Sequence, residues 1–174
     1  MKELKDYVTT IPDFPKEGIL FRDITTVIED PDGFRMAVDG LVDMLKDVDF
    51  DIVVGSESRG FVFGAPVAYK MGKGFALVRK KGKLPRETIS ESYELEYGNA
   101  TLEIHTDSIK KGQRVAIVDD LIATGGTTGA AIKLIERLGG KVVKICFVME
   151  LAGLEGRKAL EGYDVGSLIV YEGK

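Results

Sequence analysis

The chain has 174 residues, one cysteine and a formal net charge of −4. This length is sufficient for one domain that buries a core without disulfides or a structural metal, and the single Cys146, which lies in an apolar stretch, is expected to pack there. Acidic and basic residues are mixed, which disfavours a nucleic-acid-binding face, and no run of about eighteen apolar residues predicts a membrane span or signal peptide, so we expect a cytoplasmic protein.

The first unusual segment covers residues 10–26, which hold two prolines and one glycine among apolar residues. It is too irregular for a helix and too apolar for a solvated linker. We expect it to pack over the rest of the molecule as a hood.

The remainder alternates short β-like runs with amphipathic helical stretches. The predicted strands are rich in Val and Ile and comprise residues 51–55, 75–78, 114–118, 142–149 and 167–171. Apolar residues repeat at helical spacing over residues 34–45 and 131–138. Several strands appear apolar on both faces, as parallel strands are. The sequence therefore predicts one α/β domain, residues 1–174, with a central mostly parallel sheet flanked by helices.

Residues 92–105 interrupt this alternation. Tyr93, Leu95 and Tyr97 alternate with polar residues before a Gly98-Asn99 pair, and an apolar alternation resumes after it. This pattern predicts a β-hairpin with a two-residue turn at Gly98-Asn99. His105, at the end of the hairpin, is expected to be a packing residue.

Residues 115–128, VAIVDDLIATGGTT, combine an apolar strand, two aspartates and a glycine-rich loop before a helix that we expect to begin near Thr127. Unpaired N–H groups, a positive helix end and hydroxyls favour a phosphate monoester. Carboxylates repel phosphate, so Asp119 and Asp120 are expected to accept hydrogen bonds from vicinal hydroxyls. Together these preferences indicate ribose 5-phosphate.

The alternatives for this motif differ in strength. A dinucleotide fingerprint requires G-x-G-x-x-G and a Walker loop requires G-K-[ST], and neither spacing is present. The simpler alternative is a βα turn with aspartates that cap a strand. Two acids, a helix start and two threonines within one stretch favour the ligand site.

Beyond this motif, the sequence resembles a known family. Residues 115–128 are similar to the phosphoribosyl-diphosphate motif of the type I phosphoribosyltransferases. Residues 19–25, 55–66, 78–85 and 93–98 resemble its adenine-specific branch, and the resemblance extends from about residue 7 to the C-terminus. It implies the type I phosphoribosyltransferase fold with an N-terminal hood and a flexible β-hairpin lid at about 84–105. The implied reaction transfers the 5-phosphoribosyl group from phosphoribosyl diphosphate to adenine and gives AMP and pyrophosphate.

The resemblance also implies roles for individual residues. Those for the ribose 5-phosphate are Asp119, Asp120, Ala123, Thr124, Gly125, Gly126 and Thr127. Those for the pyrophosphate are Ser58, Arg59, Gly60, Arg79, Lys80 and Lys83, with a cis peptide expected between Ser58 and Arg59. Those for adenine are Leu20, Phe21 and Arg22, where an ion pair between Arg22 and Asp23 would hold the hood.

The implied chemistry adds a proton carrier, a cation and a partner subunit. Glu96 would be the general acid or base at the purine, and Tyr97 would belong to the lid. On pattern alone, Glu96 is a solvent-facing hairpin residue, because it alternates with apolar positions. Mg²⁺ would accompany the diphosphate, held mainly by substrate oxygens. The family also implies a homodimer, in which the basic cluster reaches across the interface.

Two alternative functions remain open. A nucleic-acid-binding regulator could use the same fold to sense phosphoribosyl diphosphate, but it would need a further domain or a basic face, and this chain is acidic. A transferase for hypoxanthine, guanine or xanthine would share the ribose site. Main-chain recognition of the base leaves little side-chain signature, so the choice of base rests on the resemblance.

Overall fold

The helices and strands are taken from a computed structural model that describes residues 1–95 and 97–173. The strands are β1 (Thr9–Pro12), β2 (Leu20–Asp23), β3 (Ile52–Ser56), β4 (Gly74–Lys80), β5 (Thr88–Glu94), β6 (Asn99–His105), β7 (Arg114–Ile122), β8 (Lys141–Leu151) and β9 (Val165–Tyr171). The α-helices are α1 (Thr25–Glu29), α2 (Pro31–Leu45), α3 (Arg59–Met71) and α4 (Gly126–Arg137). Short 3-10 helices cover Leu4–Tyr7, Ala152–Leu154 and Gly156–Leu160. Among the described helices, none has the length and apolarity needed to cross a membrane.

Seven strands form the central sheet in the order β5-β6-β4-β3-β7-β8-β9. The pairs β3–β4, β3–β7, β7–β8 and β8–β9 are parallel, whereas β6 runs antiparallel to β4 and β5. This arrangement confirms the predicted mostly parallel α/β sheet. After β3 the chain moves to β4 on one side, and after β7 it moves to β8 on the other. The carboxyl ends of β3 and β7 therefore flank a crevice where ligands of such sheets bind.

Helices cover both faces of the sheet. Leu41 and Leu45 of α2 and Phe63 of α3 are buried against one face, and Leu134 and Ile135 of α4 belong to the cluster on the other. Neighbouring residues of β7 alternate between these two clusters, as the two-residue period of a strand requires. Each fully buried Leu or Ile contributes roughly 1.5–3 kcal/mol, so the sheet is fixed from both sides.

The predicted hood contains a two-stranded antiparallel ribbon. β1 and β2 pair from Thr9 opposite Asp23 to Pro12 opposite Leu20. Arg22 and Asp23, both in the described part of the chain, have different partners, so the predicted ion pair between them is wrong. Arg22 donates to Thr10 Oγ1 at 2.7 Å, and Asp23 accepts from the backbone and hydroxyl of Thr25. Neighbouring residues of a strand point to opposite faces, which separates the two charges.

The predicted hairpin is present, but its turn differs from the prediction. β5 and β6 pair as far as Glu94 opposite Asn99, and the Leu95 N–H donates to the Gly98 carbonyl at 2.9 Å. Asn99 is thus the first residue of β6, and the predicted two-residue turn at Gly98-Asn99 is wrong. Alternation identifies the faces of a strand but not the cross-strand register, which determines where the chain reverses. His105 is buried, as predicted, and its Nε2 accepts the Arg86 N–H.

Candidate active site

A cavity of about 570 Å³ lies at the carboxyl ends of β3 and β7. Residues 57–59 after β3 and residues 119–128 at the end of β7 form most of its wall. Lys80 at the end of β4 and residues 93–95 of the hairpin complete it. The cavity therefore occupies the crevice that the strand order creates.

Asp119 and Asp120 form an acidic pair inside the last part of β7. Both are buried, and Asp119 Oδ1 accepts the Asp120 N–H at 2.8 Å. Burial raises the pKa of Asp119 well above its usual range, and the charge of Asp120 adds to this shift. Arg59 Nε donates to Asp120 Oδ2 at 2.6 Å, and this bond raises the pKa of the guanidinium. The pair thus combines a carboxyl that takes up a proton readily with a carboxylate that has a cationic partner.

Residues 123–127, here called the phosphate loop, comprise the connection after β7 and the first two residues of α4. Gly125 precedes α4 with a φ of 88°, and no side chain of the described residues caps the N-terminus of this helix. Its first N–H groups therefore face the cavity without a side-chain partner, at the positive end of the helix. A Cβ at Gly125 would stand 2.7 Å from the Gly156 carbonyl oxygen, so glycine is needed for packing as well as for φ.

Residues 57–60, here called the pyrophosphate loop, connect β3 to α3. The non-proline cis peptide joins Glu57 to Ser58, so the prediction of a cis bond between Ser58 and Arg59 is wrong by one residue. No local sequence signal distinguishes adjacent non-proline peptides, since proline is what ordinarily marks a cis bond. Glu57 Oε1 accepts the Lys80 N–H at 2.6 Å and ties this loop to the end of β4.

Gly60 allows α3 to approach the acidic pair. A Cβ on this residue would lie 2.8 Å from Asp119 Oδ1. A side chain here would therefore collide with the carboxylate, and its absence lets the start of α3 and the end of β7 lie side by side.

The residues of the predicted basic cluster, Arg79, Lys80 and Lys83, have different environments in the structure. Lys80 lines the cavity, whereas Arg79 Nε reaches Glu57 Oε1 at 3.3 Å. Lys83 is exposed and is not among the described residues that line the cavity. The fold thus brings one of the three predicted cations into the wall and uses a second to brace the pyrophosphate loop.

The residues predicted for adenine do not line the large cavity. Leu20 and Phe21 are 48% and 37% exposed, and neither they nor Arg22 are among the described residues around the large cavity. Leu20 and Arg22 border a separate cavity of about 30 Å³ beside Tyr171. In the hairpin Tyr97 is 86% exposed. Glu96, which is predicted to be the general acid or base, lies outside the described residues.

Sequence analysis assigned Tyr93 and Glu57 no individual role in the site, although both lie in segments that carry the family resemblance. The Tyr93 hydroxyl lies 2.9 Å from Thr127 Oγ1, and both residues line the cavity. Tyr93 was assigned only an apolar position in the hairpin, and no local signal places it opposite a loop 34 residues away. Glu57 could have been noticed as an acid that directly precedes the Ser58-Arg59 pair.

This arrangement defines a class of site. An uncapped helix N-terminus is suited to a phosphate monoester. The two carboxylates that precede the phosphate loop are suited to hydroxyl donors. Arg59 and Lys80 also line the cavity and supply positive charge there. The cavity is therefore built for a phosphorylated sugar that carries a second anionic group.

Comparison with known proteins agrees with this class. Residues 34–172 match the phosphoribosyl transferase domain, and the chain belongs to the phosphoribosyltransferase family. The type I phosphoribosyltransferase fold predicted from the sequence is thereby confirmed.

The similar proteins carry a more specific name. Adenine phosphoribosyltransferase of Agathobacter rectalis is 59% identical over 174 residues, which cover 100% of both chains. The crystal structure of adenine phosphoribosyltransferase from Thermoanaerobacter pseudethanolicus has a TM-score of 0.93 and 54% identity, and the match covers 97% of this chain and 98% of that one. The Saccharomyces cerevisiae enzyme, in complex with an imino-altritol bisphosphate and adenine, has a TM-score of 0.88 and 43% identity over 95% of this chain and 96% of that one.

Proposed function

We propose that this protein transfers the 5-phosphoribosyl group from phosphoribosyl diphosphate to adenine, giving AMP and pyrophosphate in purine salvage. The observation that carries the proposal is the acidic pair beside an uncapped phosphate loop, in a chain similar over its full length to adenine phosphoribosyltransferases. The site accounts for the phosphoribosyl group, and the similarity accounts for the base.

The ribose 5-phosphate is bound by the phosphate loop and the acidic pair. Backbone N–H groups at the start of α4 and the hydroxyls of Thr124 and Thr127 donate to the phosphate oxygens. Asp119 and Asp120 accept hydrogen bonds from the two ribose hydroxyls. Charge-assisted hydrogen bonds of this kind are worth about 1.5–3 kcal/mol each, so the acidic pair holds the sugar ring in a defined position.

The pyrophosphate is bound on the other side of the acids. Arg59 uses its Nε for Asp120, so its two terminal amino groups remain available for diphosphate oxygens. Ser58 and Gly60 contribute the backbone of the same loop, and Lys80 adds a point charge. In this way the Arg59 guanidinium holds Asp120, which binds the ribose, and also stabilises the leaving pyrophosphate.

We assign Lys83 and Arg79 to the pyrophosphate site of a second copy of the chain. Lys83 lies outside the cavity of its own chain, and Arg79 is bonded to Glu57. We include a homodimer in the proposal, in which this basic turn approaches the pyrophosphate of the neighbouring subunit.

Magnesium accompanies the diphosphate in this proposal. Mg²⁺ would be held mainly by diphosphate oxygens and water, as this ion prefers. Within residues 1–95 and 97–173, no group of three or more His, Cys, Asp or Glu side chains could hold a metal ion. The ion would neutralise the charge that develops on the leaving pyrophosphate.

Adenine is proposed to lie under the hood, against Leu20 and Phe21, with the backbone near Arg22 at its edge. The exposed side chains of Leu20 and Phe21 provide an apolar surface of the kind a planar base covers. Glu96 is proposed as the general acid or base, and Tyr97 as part of the lid that excludes water from the reacting carbon.

The test is a pyrophosphate-release assay with phosphoribosyl diphosphate and Mg²⁺, in which adenine, hypoxanthine, guanine and xanthine are offered separately. We expect release with adenine alone. Release with a 6-oxopurine would overturn the base assignment, and no release with any base would overturn the reaction.

The role of Glu96 has its own test. Glu96→Gln should lower kcat by about a hundredfold or more if this residue carries a proton. Glu87→Gln, which removes an exposed glutamate at the start of the same hairpin, is the matched control and should retain wild-type turnover. Equal rates for the two variants would remove Glu96 from the mechanism.

A further inference from the structure

The hairpin touches the phosphate loop through Tyr93 of β5. Its hydroxyl lies 2.9 Å from Thr127 Oγ1. Its ring lies against the preceding residue of the loop, since a Cβ at Gly126 would stand 2.9 Å from the ring atom Cδ2 of Tyr93. Tyr93 therefore contacts the phosphate loop both by a hydrogen bond and by packing.

The strand that carries Tyr93 is itself attached to α4, the helix that the phosphate loop begins. Arg137 of α4 donates to the Ser90 carbonyl at 2.6 Å and to Glu91 Oε2 at 3.1 Å. Lys133 Nζ lies 3.9 Å from Glu91. Exposed ion pairs contribute little stability individually, but three contacts to one helix define how β5 lies along it. Tyr93 is thus presented to Thr127 from a strand anchored to the same helix.

The hydrogen bond between Tyr93 and Thr127 has a direction that the ligand decides. A threonine hydroxyl has one proton to donate and two lone pairs that accept. A phosphate dianion only accepts, so Thr127 must give its proton to the phosphate. The contact with Tyr93 persists only if the phenol donates to Thr127 Oγ1, which leaves the Thr127 proton directed toward the ligand.

We propose that Tyr93 is a positioning residue for the 5′-phosphate, which orients the Thr127 hydroxyl as a donor and covers the phosphate loop. This inference rests on the proposed function, because it assigns the ligand of the phosphate loop. It also divides the predicted lid, because it assigns β5 as far as Tyr93 to the phosphate site and leaves the remainder of the hairpin outside that site.

Tyr93→Phe tests this inference because it keeps the ring on Gly126 and removes only the hydroxyl. Loss of one oriented hydrogen bond should raise the KM for phosphoribosyl diphosphate about three- to tenfold. The inhibition constant of ribose 5-phosphate should rise by the same factor. The KM for adenine should stay within twofold, since the base does not contact this loop.

Ser92→Ala is the matched control. Ser92 is the neighbouring residue on β5, and its hydroxyl bonds to Thr101 within the hairpin at 2.8 Å. The control therefore also removes one hydrogen bond between two hydroxyls of the hairpin, but it does not change the cavity. We expect wild-type values for both KM values and for the inhibition constant of ribose 5-phosphate. Equal changes in the Tyr93→Phe and Ser92→Ala variants would overturn the proposal.

A double-mutant cycle with Thr127→Val separates positioning from packing. If Tyr93 acts through Thr127, Tyr93→Phe should weaken ribose 5-phosphate binding by less than twofold in the Thr127→Val background. Full additivity would contradict the proposal, and so would an equal loss of affinity for adenine. Calorimetric titration with ribose 5-phosphate does not require turnover, so it decides the matter even if the four bases give no pyrophosphate.

Discussion

Replacement of Gly60 by alanine should damage the ribose site through a single added methyl group. Its Cβ would stand 2.8 Å from Asp119 Oδ1, so the carboxylate must retreat by about 0.6 Å or more to reach ordinary van der Waals distance. Asp119 is buried and its Oδ1 already accepts the Asp120 N–H, so it has little room to move. Loss of one charged hydrogen bond to the ribose, about 1.5 kcal/mol at the lower end, corresponds to a roughly tenfold higher KM for phosphoribosyl diphosphate.

The effect on stability has two opposing parts. Alanine is favoured over glycine inside a helix by about 0.8–1 kcal/mol, whereas overpacking costs about 1–3 kcal/mol. The collision should therefore prevail, and the free energy of unfolding of Gly60→Ala should fall by up to about 2 kcal/mol.

Gly129→Ala provides the matched control for this prediction. Gly129 also lies near the start of a helix, α4, but a Cβ there would meet nothing within 4 Å. This variant should gain up to about 1 kcal/mol of stability and keep its KM within twofold. Steady-state kinetics and urea unfolding measure both quantities. An unchanged KM in Gly60→Ala, or an equal rise in Gly129→Ala, would refute the reasoning.

Three further predictions concern Asp119, Gly125 and Glu103. Asp119→Asn should abolish pyrophosphate release but raise the unfolding temperature of the ligand-free protein at pH 8, because the raised pKa of Asp119 makes its ionised form costly in the fold. The gain should vanish below about pH 4, where the unfolded carboxyl is protonated too, and a gain of constant size from pH 4 to 8 would contradict it. Gly125→Ala should raise the KM for phosphoribosyl diphosphate and lower stability by about 1–2 kcal/mol because of the positive φ alone. The new Cβ would also stand 2.7 Å from the Gly156 carbonyl oxygen, which should lower stability further. A wild-type melting curve would count against this prediction. Three hydrogen bonds from a backbone N–H and two hydroxyls lower the pKa of buried Glu103, so Glu103→Gln should lose stability at pH 7 and approach the wild type as the pH falls below about 4; a stability gap whose size does not change with pH on the acid side would refute this.

Local patterns were sufficient for the elements and for the chemistry of the loop. Val- and Ile-rich runs identified the strands because a buried strand has few other compositions, although β7 extends to Ile122, four residues beyond the predicted end. The phosphate loop was recognisable because an anion cradle needs glycine, hydroxyls and a helix start within a few consecutive residues.

Contacts between distant segments were decided only by the tertiary structure. Arg59 and Asp120 are 61 residues apart, and Tyr93 and Thr127 are 34 apart. Which of the basic residues enters the cavity also depends on the direction each side chain takes at the end of β4. Such pairings follow from strand order and cross-strand register, which no short stretch of sequence specifies.

The sequence by itself thus determined that this protein has a parallel α/β sheet and a loop suited to a sugar phosphate, because both depend on residues adjacent in the chain. The tertiary structure decided that Arg59 binds the acidic pair, that Gly60 makes room for it and that Tyr93 reaches the phosphate loop. These features depend on which strands become neighbours, and strands become neighbours only when the whole sheet has been packed by its helices.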